Sequence, residues 1–238
     1  MNRITRTFLP ALAIVAAGAL QAQAQTISSP LRYLETKNAV EVTGGYVFTN
    51  PGLELEADTE AEFGPRSAPS VGLRYMRRFG GPLSGMVGAG FVPSERKVIS
   101  AAEGQDSAFV EALETGETAN APIVTLEGGI RFHLTGDRAF RGLAPYLGVT
   151  AGLVSEVGGT DETEEVLPER ERFDFGPAFA LGGAAGLDVF VTRRASLQTE
   201  LTYRLWRMSV PERFGVADRD RGRWSGVGGV SVGAAFHF

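Results

Sequence analysis

Residues 224–238 read WSGVGGVSVGAAFHF and alternate with a period of two. Successive side chains of a β-strand point to opposite faces. One face therefore carries Trp224, Gly226, Gly228, Val230, Val232, Ala234, Phe236 and Phe238, and holds no charge. The other carries Ser225, Val227, Gly229, Ser231, Gly233, Ala235 and His237. Residues 122–135 repeat the pattern: Val124, Leu126, Gly128, Ile130, Phe132 and Leu134 oppose Thr125, Glu127, Gly129, Arg131 and His133. So do residues 195–210, with Leu197, Thr199, Leu201, Tyr203 and Leu205 against Gln198, Glu200, Thr202 and Arg204.

Working outward, the same period marks eight segments: Ala39–Thr49, Ser67–Phe79, Leu83–Pro93, Pro122–Thr135, Ala144–Glu156, Phe173–Thr192, Ala195–Val210 and Trp224–Phe238. Each reaches the roughly 9–11 residues that a tilted strand needs to cross a bilayer. The connections alternate in length. Gly80-Gly81-Pro82, Gly136–Leu143 and Arg193-Arg194 are short; 50–66, 94–121, 157–172 and 211–223 are long. Short periplasmic turns and long outer loops are the habit of outer-membrane barrels. The fold expected is all-β: an eight-stranded antiparallel up-and-down transmembrane barrel, closed because lipid tolerates no open strand edge. The uncharged faces then meet lipid. Tyr46, Phe48, Phe91, Phe173, Phe175 and Trp224 are expected in a loop-side aromatic belt, and Phe79, Phe132, Phe236 and Phe238 in a turn-side one.

The N-terminus agrees. Arg3 and Arg6 precede an apolar run, Phe8–Leu20, and the small-x-small site Ala22-Gln23-Ala24. Residues 1–24 read as a secretory signal peptide, 25–38 as a short periplasmic segment and 39–238 as the barrel. Losing Arg3 and Arg6 with the leader takes two of the 23 bases and moves the net charge from −5 to −7. With that charge and no basic patch, a nucleic-acid partner is not expected. Cysteine is absent, so disulfides do not contribute. A hydrophobic content of only 43% suits a chain whose two faces average out.

On these residues the chain resembles the small eight-stranded outer-membrane proteins grouped with the OmpA transmembrane domain, OmpX and OmpW. The resemblance spans 39–238. Its most specific element is Val230, Val232, Ala234, Phe236 and a final Phe238, which resembles the signal read by the outer-membrane assembly machinery. Ending there, the chain is expected to lack the peptidoglycan-binding domain of two-domain members. The resemblance implies a bacterial outer-membrane location, with outer-membrane lipid, lipopolysaccharide and the assembly machinery as partners.

By alternation Glu41, Arg74, Arg78, Glu127, Arg131, Asp188, Glu200 and Arg204 point inward, four acids against four bases. An eight-stranded barrel is just wide enough to be filled by side chains, and charges there must pair or be hydrated. Two readings stand: an ion-pair network that plugs the lumen, or a narrow polar pore. A selective pore would more naturally carry an excess of one sign, and the resemblance also favours the plug. Glu200 and Arg204, two inward positions apart on one strand, are expected to act together. Inward Gly45, Gly72, Gly88, Gly90, Gly148, Gly182 and Gly186 leave room for water or accommodate strand curvature.

No enzyme, metal or cofactor is expected. His133 and His237 are the two histidines; both fall at turn-side strand ends, away from the outer leaflet, and neither is followed by a suitably placed serine. A lipid A-modifying enzyme is the remaining reading of that class. The long loops are acidic: Glu54, Glu56, Asp58, Glu60 and Glu62; Glu103, Asp106, Glu111, Glu114 and Glu117; Asp161, Glu162, Glu164, Glu165, Glu169 and Glu171. They serve either as solvated surface or as a site for divalent cations or an extracellular ligand, without the spacing of a calcium-binding loop. The fourth loop instead carries Arg213, Arg219, Arg221 and Arg223, suited to lipopolysaccharide phosphates. Ser107–Thr115 reads as a short helix. The function expected is a non-enzymatic surface barrel, with a small passive channel as the alternative.

Overall fold

The computed structural model describes residues 31–34, 36–49, 52–54, 60–62, 64–101, 112–158, 175–209 and 222–238. The leader and most of the acidic loop residues lie outside them. Eight long strands form the wall: β1 (Asn38–Thr49), β2 (Ala68–Gly80), β3 (Leu83–Ala101), β4 (Ala112–His133), β5 (Leu143–Glu156), β6 (Ala178–Phe190), β7 (Ala195–Ser209) and β8 (Gly222–His237). Each pairs antiparallel with the next. β8 pairs back to β1, from Val227↔Thr49 to His237↔Ala39, and closes the cylinder. At the seam Asn38 N–H donates to Phe238 O (3.0 Å) and Phe238 N–H to Asn38 O (2.9 Å).

The alternation sorts inside from outside. Val42, Leu73, Val87, Leu126, Val149, Phe179, Leu201 and Val230 are all exposed on the outer wall. An apolar exterior around a closed hydrogen-bonded cylinder is what a lipid-embedded barrel requires. Leu201, 64% exposed, lies mid-strand on this face. Leu201→Arg is expected to destabilise the lipid-embedded barrel by about 2–4 kcal/mol, whereas Leu201→Ala changes little, because lipid replaces the lost contacts. Unfolding titrations in vesicles check this; equal losses would mean that the side chain packs on protein.

Several boundaries differ from the sequence reading. Pro93 and Pro122 were expected to end their strands. They instead face each other in register, and the ladder runs on to Ala101↔Ala112, with an irregularity between Lys97 and Ile99. Two prolines at one rung interrupt pairing once, and buried Val98 and Ile99 hold the extension down. Residues 112–115 are therefore strand rather than helix; 107–111 lie outside the described residues. β6 begins at Ala178, not Phe173. Part of the N-terminal segment is also ordered: Leu31–Tyr33 pairs with Arg138–Phe140 in the connection between β4 and β5. The β2–β3 turn uses Gly80 (φ 126°) and Gly81 (φ 57°), conformations that glycine adopts without steric cost.

Candidate functional site

The inward faces meet in the lumen, and the chemistry is layered along its axis. At mid-height four side chains from four strands form a closed ring. Arg74 of β2 donates from Nη1 to Glu41 Oε1 of β1 (3.3 Å) and from Nη2 to Glu200 Oε1 of β7 (2.7 Å). Arg131 of β4 donates from Nη1 to Glu41 Oε2 (3.3 Å) and from Nη2 to Glu200 Oε2 (3.0 Å). Each carboxylate is shared by both guanidiniums, and each guanidinium by both carboxylates. Glu41 and Arg131 are completely buried.

Neutral groups complete the ring. Tyr146 of β5 donates its hydroxyl proton to Glu200 Oε2 (2.8 Å), and the Arg131 guanidinium lies 4.4 Å above the Tyr146 ring. The Gln198 amide sits among Glu41, Arg131 and Tyr146; turned with its nitrogen toward Glu41, it donates to that carboxylate and accepts from Arg131 Nη1 at 3.0 Å. Isolated buried ions are costly, and only such dense pairing offsets their dehydration.

The remaining charges form two further groups. Arg204 Nε bonds Glu127 Oε1 at 2.6 Å and Nη2 bonds Oε2 at 3.1 Å, a two-pronged pair. Arg204 is thus bonded to Glu127 and not to Glu200, which corrects the expectation that the two β7 residues act together. They sit two inward positions apart, but each reaches across the lumen to another wall. Arg78 donates to Leu34 O (3.4 Å). With Asp188, His133 and His237 it lines a vestibule of about 20 Å³ at the turn-side mouth.

Toward the loops the lumen changes character. Val47, Val92, Ile123, Val154, Phe175, Trp206 and Val227 form a buried apolar cluster. The Phe175 and Trp206 rings lie 6.1 Å apart. Phe175 was expected in the outer aromatic belt; it is 1% exposed and folds into the mouth instead. Its backbone explains the inward turn, because Phe175 O accepts from Glu156 N (2.8 Å) at the end of β5. Phe173 lies outside the described residues. Above the cluster Arg96 pairs with Glu156 at 3.6 Å. Between ring and cluster lies a chamber of about 60 Å³ whose lining includes Thr43, Ser70, Thr125, Thr202 and Ser231. That is room for several waters.

The inward glycines have a function that the sequence reading did not foresee. A Cβ on Gly88 would stand 2.7 Å from Arg74 Cγ, and one on Gly182 3.0 Å from Arg204 Cγ. A Cβ on Gly186 would collide with the Tyr146 ring. Each glycine is a berth in which a long side chain lies flat before crossing the lumen. Gly186→Ala is therefore expected to push Tyr146 off Glu200 and destabilise the barrel by about 1–3 kcal/mol. Gly44→Ala, where a new Cβ meets nothing within 4 Å, should stay within about 0.5 kcal/mol. Unfolding titrations of both variants check the contrast.

The histidines also differ from expectation. Serines reach them from neighbouring strands: Ser84 Oγ lies 3.1 Å from His133 Nε2 and Ser196 Oγ 2.8 Å from His237 Nε2. His133 Nδ1 is buried with no hydrogen-bond partner among the described residues, where the acid of a Ser-His-acid triad would bind. No group of three or more metal-ligating side chains occurs among the described residues.

The residues singled out at the chain end all face outward: Val230, Val232, Ala234 and Phe236 on β8, and Phe238 just beyond it. Among the acidic loop residues, Glu117 is exposed on β4. Glu54, Glu60 and Glu62 lie on a small paired hairpin, Gly52–Glu54 with Glu60–Glu62. The arginines of the fourth loop at 213, 219 and 221 lie outside the described residues.

Closed wall, lipid-facing exterior and filled lumen define a transmembrane β-barrel of the outer-membrane type. No family model and no curated protein matches the chain. Among solved structures it is similar to the outer membrane protein OprG from Pseudomonas aeruginosa, with a TM-score of 0.50 and 14% identity over 87% of this chain and 99% of that one. Neisserial surface protein A matches with a TM-score of 0.48 and 14% identity, covering 84% and 97%. A major outer membrane protein from Thermus thermophilus matches at 0.45 and 15%, covering 86% and 100%. The OprG likeness carries the fold: the chain is a small closed eight-stranded β-barrel.

Proposed function

We propose that this protein is a non-conducting, non-enzymatic surface barrel, which holds long acidic loops outside the outer membrane on a rigid, plugged support. The observation that supports this best is the presence of two different seals in series. The Glu41–Arg74–Arg131–Glu200 ring ties opposite walls at mid-height, and the Trp206–Phe175 cluster closes the loop-side mouth. A hydrated ion would have to displace bonded charges and then cross an apolar plug. The proposed partners are outer-membrane lipid, lipopolysaccharide at the fourth-loop arginines, an extracellular ligand or divalent cations at the acidic loops, and the assembly machinery at the outward face of β8.

The test is single-channel recording on the refolded barrel in planar bilayers. The expected trace is silent or shows rare, brief events. The chamber of about 60 Å³ favours a second reading, a small passive channel whose seals open. A large and steady wild-type conductance would promote that reading over ours.

A further inference from the structure

The charge at the turn-side rim is opposite in sign to that of the loops. Lys37, Arg77, Arg141, Arg193 and Arg194 are exposed there, with Arg138 beside them. Asp137 is the one acidic side chain on the outside of this rim among the described residues, and it lies 3.9 Å from Arg138. Three of the arginines share one sector, because two turns touch: Phe190 N–H, ahead of Arg193 and Arg194, donates to Gly142 O (2.7 Å), next to Arg141.

Two further observations bear on what the sector binds. Arg141 has φ 52°, the one positive φ of a non-glycine among the described residues. That backbone is sparsely populated by side-chain-bearing residues and costs free energy. It sets the Arg141 guanidinium 5.6 Å above the Phe140 ring. Phe140, Phe236 and Phe238 are each about half exposed at the same end of the wall. Aromatic rings at a barrel end mark the headgroup level of a bilayer. The arginines thus stand where lipid phosphates lie, and planar guanidiniums match phosphate oxygens in geometry as well as charge.

We propose that Arg141, Arg193 and Arg194 form a binding site for the phosphates of anionic phospholipid in the inner leaflet. The preferred ligand is a headgroup carrying two phosphates, since three exposed arginines stand on two turns that touch. The proposal rests on the reading of the chain as an outer-membrane barrel with its short turns in the periplasm. An anionic cell-wall glycan is the competing ligand. The adjoining phenylalanines favour lipid, because a soluble polymer gains nothing from rings set at the bilayer surface.

The experiment uses the full barrel refolded in vesicles that hold phosphatidylcholine and cardiolipin in equal amounts, with insertion scored by heat-modifiable gel mobility. The barrel is then transferred to detergent, and retained cardiolipin is counted against phosphatidylcholine by native mass spectrometry. The variants are Arg141→Gln/Arg193→Gln/Arg194→Gln and, as a control at the loop end of β7, Arg207→Gln. Cardiolipin should be retained at least tenfold over phosphatidylcholine by the wild type and by Arg207→Gln. The triple variant should insert normally and bind cardiolipin on the order of a hundredfold more weakly. Equal retention by the triple variant overturns the site. So does binding of purified peptidoglycan that the triple variant loses while its cardiolipin retention is unchanged, which assigns the sector to the glycan. Failure of the wild type to insert into these vesicles overturns the barrel reading, and the site with it.

Discussion

Glu200→Ala is expected to destabilise the barrel by about 3–5 kcal/mol, the cost of leaving a buried ion pair broken. Glu200 accepts from Arg74, Arg131 and Tyr146 together. Its loss leaves two guanidiniums to share Glu41, whose side chain has no exposure to water. Removing one of those bases should repair part of the damage. In Glu200→Ala/Arg74→Ala the neutral pair Glu41–Arg131 remains, and stability should recover by about 1–3 kcal/mol relative to the single variant. Pairing Glu200→Ala with Arg204→Ala should add to the loss, because that change orphans Glu127 instead. Urea titrations in vesicles measure all three. A loss below about 1 kcal/mol for Glu200→Ala would show that water already solvates the ring.

The second large effect is at the other seal. Trp206 is 1% exposed and packs against Phe175. Trp206→Ala should cost about 3–5 kcal/mol. Trp206→Phe should cost much less, since the indole Nε1 has no hydrogen-bond partner to lose. The conductance consequence is not additive. With the seals in series, Trp206→Ala or Glu200→Ala alone leaves one barrier standing, while the double variant removes both. Steady ion flow should therefore appear only in the double variant. If Trp206→Ala alone conducts freely, the ring is not a barrier to ions.

The wall was legible in the sequence because lipid imposes a strict rule on every second residue. Leu201, Ile130 and Val230 can be placed outside by parity alone, and two of the three short turns are marked by glycine or proline. The eight inward charges were legible for the same reason. Their pairing was not. Arg131 meets Glu41 across 90 residues of chain, and nothing along one strand shows which opposite wall a long side chain will reach. The Glu200–Arg204 expectation failed on that point. The apolar plug carries no charge to mark it. Yet Val47, Val92, Ile123, Trp206 and Val227 share inward parity near the loop-side ends, so the same alternation would have found them. Phe175 was beyond such reasoning, since it enters the lumen from outside any strand. Ser84 and Ser196 were overlooked as histidine partners because they approach from neighbouring strands rather than along the same one.

The berths that glycines provide for crossing side chains have a consequence for how this chain can evolve. Gly88 makes space for Arg74, Gly182 for Arg204 and Gly186 for Tyr146. Each long residue is joined to a vacancy on the next strand, so neither member of the pair is free to drift alone. A lineage that shortens Tyr146 would release Gly186 to gain a side chain; one that keeps Tyr146 would hold position 186 at glycine. Across divergent relatives, the volumes at these positions should therefore trade against each other strand by strand, while the outward residues beside them vary independently. Such covariation would be written between neighbouring strands, even though the polar groups that the long residues carry bond to partners on other walls of the barrel.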